Sequence, residues 1–202
     1  GHKALVSLGA TGQFYAQIKN GAPYDILLAA DEHTPRLLEQ EGLALAGTRR
    51  SYATGRLVLW SRTPGLVDAK GEVLRSGKFE RIALANPKLA PYGAAARQVL
   101  EAMGLSAALG PRIVEAAHIG QALQFVASGN AALGFVAMAQ VYDQGQLREG
   151  SAWVVPEAMH APLRQDMVLL RPGQGKPAAL ALLDYLQGPK AREVMRTFGY
   201  AS

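Results

Sequence analysis

The chain has 202 residues, enough for one large domain or two small lobes, and 49% of them are hydrophobic against 18% charged, a balance that supports a sizeable core. Cysteine is absent, which excludes disulfides, thiolate-bound zinc and a thiol nucleophile, and no apolar run approaches the ~20 residues that span a bilayer. The formal charge of +5 comes from 21 basic and 16 acidic residues that are scattered, without the stripe or arm that nucleic-acid binding needs, although the excess would help to draw in a small anion.

In chain order, Gly1-His2-Lys3 leads almost directly into a strand-like run, Ala4 to Leu8, so any signal peptide is expected to have been removed. Gly9-Ala10-Thr11-Gly12 reads as a turn and Gln13 to Asn20 as a helix, closed by Gly21 with Pro23 just beyond. Tyr24 to Ala30 reads as a buried strand. Thr34-Pro35 starts a helix, with proline at its first position, and Gly42 stops it. Arg56 to Trp60 and Arg81 to Ala85 are strands, the second ending at Asn86-Pro87. A helix follows from about Tyr92 to Met103, stopped by Gly104, and Ile113-Val114 is a short strand. Ile119, Ala122, Leu123 and Val126 share one helical face, Gly129 ends that helix, and Leu133 to Ala137 is a strand. Trp153 to Val155 and Met167 to Leu170 are extended. Ala191, Val194, Met195 and Phe198 repeat the helical spacing after Pro189, and Gly199 ends it.

Short apolar strands alternating with amphipathic helices predict an α/β fold with mainly parallel sheets. Two long connections, about Thr48 to Ser61 and Ser151 to Leu170, divide the chain into an outer part made of both ends and an inner part made of the middle. That is the layout of a two-lobed hinged binder.

Three strand-to-helix junctions share one character: Ala10-Thr11-Gly12, Ala90-Pro91-Tyr92-Gly93 and His118-Ile119-Gly120. Each puts small residues where a helix begins, and the first turn of a helix carries free N–H groups and a partial positive charge. Small side chains let an anion reach the backbone, and ligands of open α/β sheets sit beyond the carboxyl ends of strands. The competing reading is that every α/β protein has such junctions and most bind nothing. Thr11 is either a hydroxyl donor or a cap for the helix at Gln13, and Tyr92 either offers its phenol or is a large half-buried side chain. His118 suits a capping or surface role, because His2, His33, His118 and His160 lack metal-ligand spacing.

Catalytic constellations are missing: there is no nucleophile elbow, dinucleotide fingerprint, phosphate-binding Walker loop or zinc-protease motif. Asp25 and Asp31 lie about 20 Å apart along an extended strand, too far to share a substrate. A non-enzymatic binding protein is therefore expected, without a cofactor.

The motifs resemble those of the periplasmic molybdate-binding proteins of ABC importers. The segments that carry the likeness are Gly9-Ala10-Thr11-Gly12-Gln13-Phe14-Tyr15-Ala16-Gln17-Ile18, Asn20 to Asp25 with Ala29-Ala30-Asp31, Tyr52 to Ser61, Ala85 to Gly93, Leu133 to Ala137, Gly150 to Trp153 and Leu186 to Ala191. They span essentially the whole chain in order. The resemblance implies a type II periplasmic binding protein fold: two lobes joined by two hinge strands, with residues 1–52 and 160–202 in lobe 1 and 53–159 in lobe 2. It also implies a molybdate or tungstate anion held in the cleft by neutral donors. These map to Thr11 (hydroxyl and amide), Tyr92 (amide and phenol) and Ile119 (amide), with Ala10, Gly12, Gly93 and Gly120 as neighbours. Molybdenum would be present only within the anion. Ala137 stands where some members have a tyrosine, a lost donor that Tyr92 could replace.

Members of the family begin with a βα unit of roughly thirty residues ahead of the Gly-His-Lys region. The expectation is thus of a chain without its first βα unit, impaired in binding and prone to self-association through unpaired strand edges. The partners implied are the oxyanion and a membrane permease, with no nucleic acid, in the periplasm. A fully deprotonated dianion suits a donor-only site, which leaves the proton of hydrogen phosphate unpaired; sulfate would be rejected only by cavity size. The alternative reading is the effector-binding domain of a transcription regulator with the same two-lobed fold.

Overall fold

The computed structural model describes residues 2–201. Its helices are α1 (Thr11–Lys19), α2 (His33–Gln40), α3 (Val73–Ser76), α4 (Pro91–Ala102), α5 (Ser106–Leu109), α6 (Ile119–Ala127), α7 (Met138–Val141), α8 (Pro177–Gln187) and α9 (Pro189–Thr197). The strands are β1 (Ile26–Leu28), β2 (Arg50–Gly55), β3 (Leu57–Ser61), β4 (Ile82–Ala85), β5 (Ile113–Ala116), β6 (Leu133–Ala137), β7 (Tyr142–Asp143), β8 (Gln146–Leu147), β9 (Ser151–Val154) and β10 (Leu163–Leu169).

Two sheets hold the molecule. One has the order β5-β4-β6-β3-β9 and the other the order β1-β10-β2. β3, β4 and β6 are buried at every position, which is why their sequences are unbroken apolar runs rather than alternating ones. Side chains still alternate between faces. Leu57 and Leu59 of β3 pack with Leu84, Phe135 and α4 residues Val99 and Leu100. Val58 and Trp60 pack on the other side with Ala83, Val136 and α6 residues Ala122 and Val126. The smaller sheet is covered likewise: Leu27 and Val168 meet Ile18 of α1 and Leu38 of α2, while Met167 and Leu169 meet Ala179 and Leu183 of α8.

The expectation of mainly parallel sheets needs correction. β4 pairs in parallel with β5 and β6, but the β3–β6, β3–β9, β1–β10 and β10–β2 pairs are antiparallel. The reason lies in the two long connections. The chain leaves the small sheet along β2 and enters the large one along β3; it returns along β9 and β10. Outgoing and returning strands run in opposite directions, so β2 with β10 and β3 with β9 pair antiparallel, one pair in each sheet.

The strand expected over Ala4 to Leu8 is also absent. Residues 2–10 have no regular secondary structure, and Leu5, Val6 and Leu8 are 87, 76 and 86% exposed. A strand exists only through its ladder, and no strand among the described residues lies alongside this run. The strand expected over Tyr24 to Ala30 shrinks to Ile26–Leu28, an edge strand that pairs only with β10. The helices at the first two junctions start earlier than expected, at Thr11 and Pro91.

Candidate functional site

Three helix starts meet in one small cluster. Ala10 and Ala90, the N-caps of α1 and α4, pack with Ala85 at the end of β4 and with Ile119, the first residue of α6. Alanine at these places keeps the three backbones close. The Gly12 amide donates to the Leu89 carbonyl at 2.9 Å, tying α1 to the loop before α4. A Cβ on Gly93 would overlap the Ala85 carbonyl, so only glycine lets α4 start directly over the end of β4.

The starts of α1, α6 and α7 each have their own capping chemistry, while α4 starts at Pro91 without a side-chain cap. At α1 the Gln13 side chain turns back to accept from the Ala10 amide at 3.1 Å. Thr11 is not the cap, because its Oγ1 accepts from the Ala30 amide at 3.0 Å. With an acceptor position filled in this way, the Thr11 hydroxyl keeps its proton for another partner. At α6 the cap is His118, whose Nδ1 accepts from the Gln121 amide at 3.2 Å. At α7 Gln140 repeats the device of Gln13, accepting from the Ala137 amide at 2.9 Å. Among the described residues no acceptor meets the amides of Thr11, Tyr92, Ile119 and Gly120. The amides of Ala10, Gly12 and Gly93 have partners inside the chain, respectively Gln13, Leu89 and Ala90.

Thr11, Tyr92, Ile119 and Ala137 line a single cavity of about 350 Å³. It is shared with Gly9, Phe14, Ala30, Tyr52, Gln140, Gln165 and Tyr200, among others, and no lining residue carries a formal charge. Ala10, Gly12, Gly93 and Gly120 are not among the residues that line it. Tyr92 is 4% exposed rather than half-buried, and its hydroxyl accepts from Gln165 Nε2 at 3.0 Å. Gln165 Oε1 in turn accepts from the Tyr52 hydroxyl at 2.9 Å. Burial pushes the phenols of Tyr52, Tyr92 and Tyr200 up from their ordinary value, so all three stay protonated at neutral pH. The chemistry available is that of neutral donors: backbone N–H groups at three helix starts, each with the positive end of its dipole, and hydroxyl protons.

Tyr52, Gln140, Gln165 and Tyr200 are not apparent from the sequence. Gln140 had a legible signal, a glutamine three residues into a helix. Tyr52 and Gln165 are 113 residues apart and had none. Tyr200 reaches the cavity because Ala201 bridges to Thr54 of β2.

The profile of the bacterial extracellular solute-binding protein family matches residues 1–201. The molybdate-binding protein ModA of Azotobacter vinelandii is 56% identical over 200 residues, covering 99% of this chain and 79% of that protein. ModA of Rhodobacter capsulatus is 45% identical over 202 residues, covering 100% of the chain and 79% of its own length. The solved structure of the Azotobacter vinelandii periplasmic molybdate-binding protein superposes with a TM-score of 0.96 at 43% identity, covering 100% of this chain and 88% of that one. The chain belongs to the extracellular solute-binding proteins and, within them, to the molybdate-binding ModA proteins. Relatives at this identity are binding proteins rather than enzymes, and they give no support to the regulator alternative.

Proposed function

We propose that the cavity binds molybdate or tungstate and that the chain carries this anion, outside the cytoplasm, to the membrane permease of an ABC importer. The observation that carries the reading is the convergence of Thr11, Tyr92 and Ile119 on one uncharged cavity. Their three amides lack an acceptor among the described residues, and the hydroxyls of Thr11 and Tyr92 each hold a proton to donate. A tetrahedral dianion accepts on every oxygen and requires no acceptor in return. The names of the Azotobacter and Rhodobacter relatives support the choice of anion. The cavity sits at the small end of the roughly 300–1,000 Å³ range of small-molecule sites, as a tetraoxyanion requires.

The reading includes two lobes, residues 1–52 with 160–202 and residues 53–159, hinged where β2 passes into β3 and where β9 returns to β10. Thr11 then belongs to one lobe, Tyr92 and Ile119 to the other, and the anion joins them on closure. In the family's periplasmic setting the permease would read the closed form. A ligand that binds only the folded chain raises its melting temperature. Thermal melts with molybdate, tungstate, sulfate and phosphate should therefore show clear upward shifts for the first two and the smallest for phosphate. No shift with molybdate or tungstate at millimolar concentration contradicts the proposal.

A further inference from the structure

We infer that Gln165 is a specificity-determining positioning residue: it aims the Tyr92 hydroxyl proton into the cavity, so that the site accepts a fully deprotonated oxyanion and disfavours one that carries a proton. This rests on the oxyanion reading above and goes beyond it by naming the group that sets the polarity of the wall.

Two observations carry the inference. The first is the hydrogen-bond chain itself. Gln165 is 4% exposed, its Nε2 donates to the Tyr92 hydroxyl at 3.0 Å, and its Oε1 accepts from the Tyr52 hydroxyl at 2.9 Å. A phenol has one proton. With an amide N–H donating onto the Tyr92 oxygen, that proton points away from Gln165, and Tyr92 and Gln165 both line the cavity. The second is a β-bulge. Along β10, Gln165 pairs with Ala53 and Asp166 with Ser51, so Tyr52 is the extra residue on β2. A bulge re-aims a side chain, and this one brings Tyr52 beside Gln165 while Ser51 reaches Asp166 at 2.5 Å on the other side. Gly55 completes the arrangement, because a Cβ there would overlap both the Tyr92 hydroxyl and Gln165 Nε2.

The Tyr52 hydroxyl lies 2.9 Å from Gln165 Oε1 and 3.2 Å from the Ala29 carbonyl, and its one proton, given to the nearer acceptor, holds the amide in this orientation. Reversed, Gln165 would take the Tyr92 proton through Oε1 and turn a phenol lone pair toward the cavity. The site would then contain an acceptor suited to hydrogen phosphate or hydrogen arsenate.

Calorimetric affinities for molybdate and for phosphate, at a mildly alkaline pH where phosphate is the singly protonated dianion, test this on the full chain and its Gln165→Glu and Tyr52→Phe variants. Both ligands are dianions, so any repulsion from a carboxylate at 165 acts on both, and their affinity ratio isolates the direction of the Tyr92 proton. The ratio of molybdate to phosphate affinity should fall about tenfold in Gln165→Glu, the effect of one donor turned into an acceptor. It should fall roughly threefold in Tyr52→Phe, where the amide is released but uncharged. A ratio unchanged in both, with the parent chain binding molybdate, overturns the role of Gln165. Failure of the parent chain to bind molybdate removes the oxyanion reading, and this inference with it. Should Gln165→Glu fail to melt cooperatively, Tyr52→Phe decides alone, an unchanged ratio there being the negative result.

Discussion

Thr11 has a different job from the one its position suggests. A threonine at a helix start is ordinarily a cap, but here Ala10 is the cap and the Thr11 oxygen accepts from the Ala30 amide. Thr11→Ala should weaken molybdate binding by about 1–3 kcal/mol through loss of a donor to a desolvated oxygen, whereas Thr11→Ser should keep nearly all of it. Calorimetry on the two variants checks this, and equal affinities for both would show that the hydroxyl does not touch the anion. That Thr11, Tyr92 and Ile119 stand at or beside helix starts was legible because strand-to-helix junctions announce themselves through small residues and helical periodicity. The partners that aim them were not. Gln165 and Tyr52 meet across two strands at a bulge, and neither a bulge nor the pairing of residues 113 positions apart leaves a local mark in a sequence.

At the scale of elements, the buried strands β3, β4 and β6 and the helices α4 and α6 follow directly from apolar runs and 3.6-residue periodicity. Sheet direction does not. It depends on which strands the two connecting passages bring together, and that is a property of the path rather than of any segment. Ala4 to Leu8 shows the same limit: its composition is that of a strand, but no strand among the described residues offers it a ladder. Leu5, Val6 and Leu8 are exposed, and β1 pairs on one side only. Exposed apolar side chains and an open strand edge each favour association. Sedimentation of the 202-residue chain should show concentration-dependent oligomers, and Val6→Lys with Leu8→Lys should reduce them. A strictly monomeric chain at high concentration would count against this.

For the whole molecule, the uncharged cavity and its buried phenols set the pH behaviour. Burial, the largest influence on each, raises Tyr52 and Tyr92 above the ordinary tyrosine value of 10.0. A raised folded-state value means the folded chain holds protons that the unfolded chain releases. The stability this represents is intact below pH 10 and declines above it, by about 1.4 kcal/mol per pH unit for each phenol. Denaturant melts should therefore show a steep alkaline loss that Tyr52→Phe makes shallower; an equal slope in that variant would contradict the burial argument. Between neutral pH and about pH 9 no lining group of the cavity titrates, so molybdate affinity should stay level there. The central claim is that this cavity is uncharged and meets its anion with neutral donors, its side-chain acceptors being taken up inside the chain. It is tested most directly by comparing the calorimetric dissociation constants of molybdate and phosphate on the unaltered chain. The account predicts that phosphate binds more than about tenfold more weakly, because its proton finds no acceptor; phosphate within about tenfold of molybdate would contradict it.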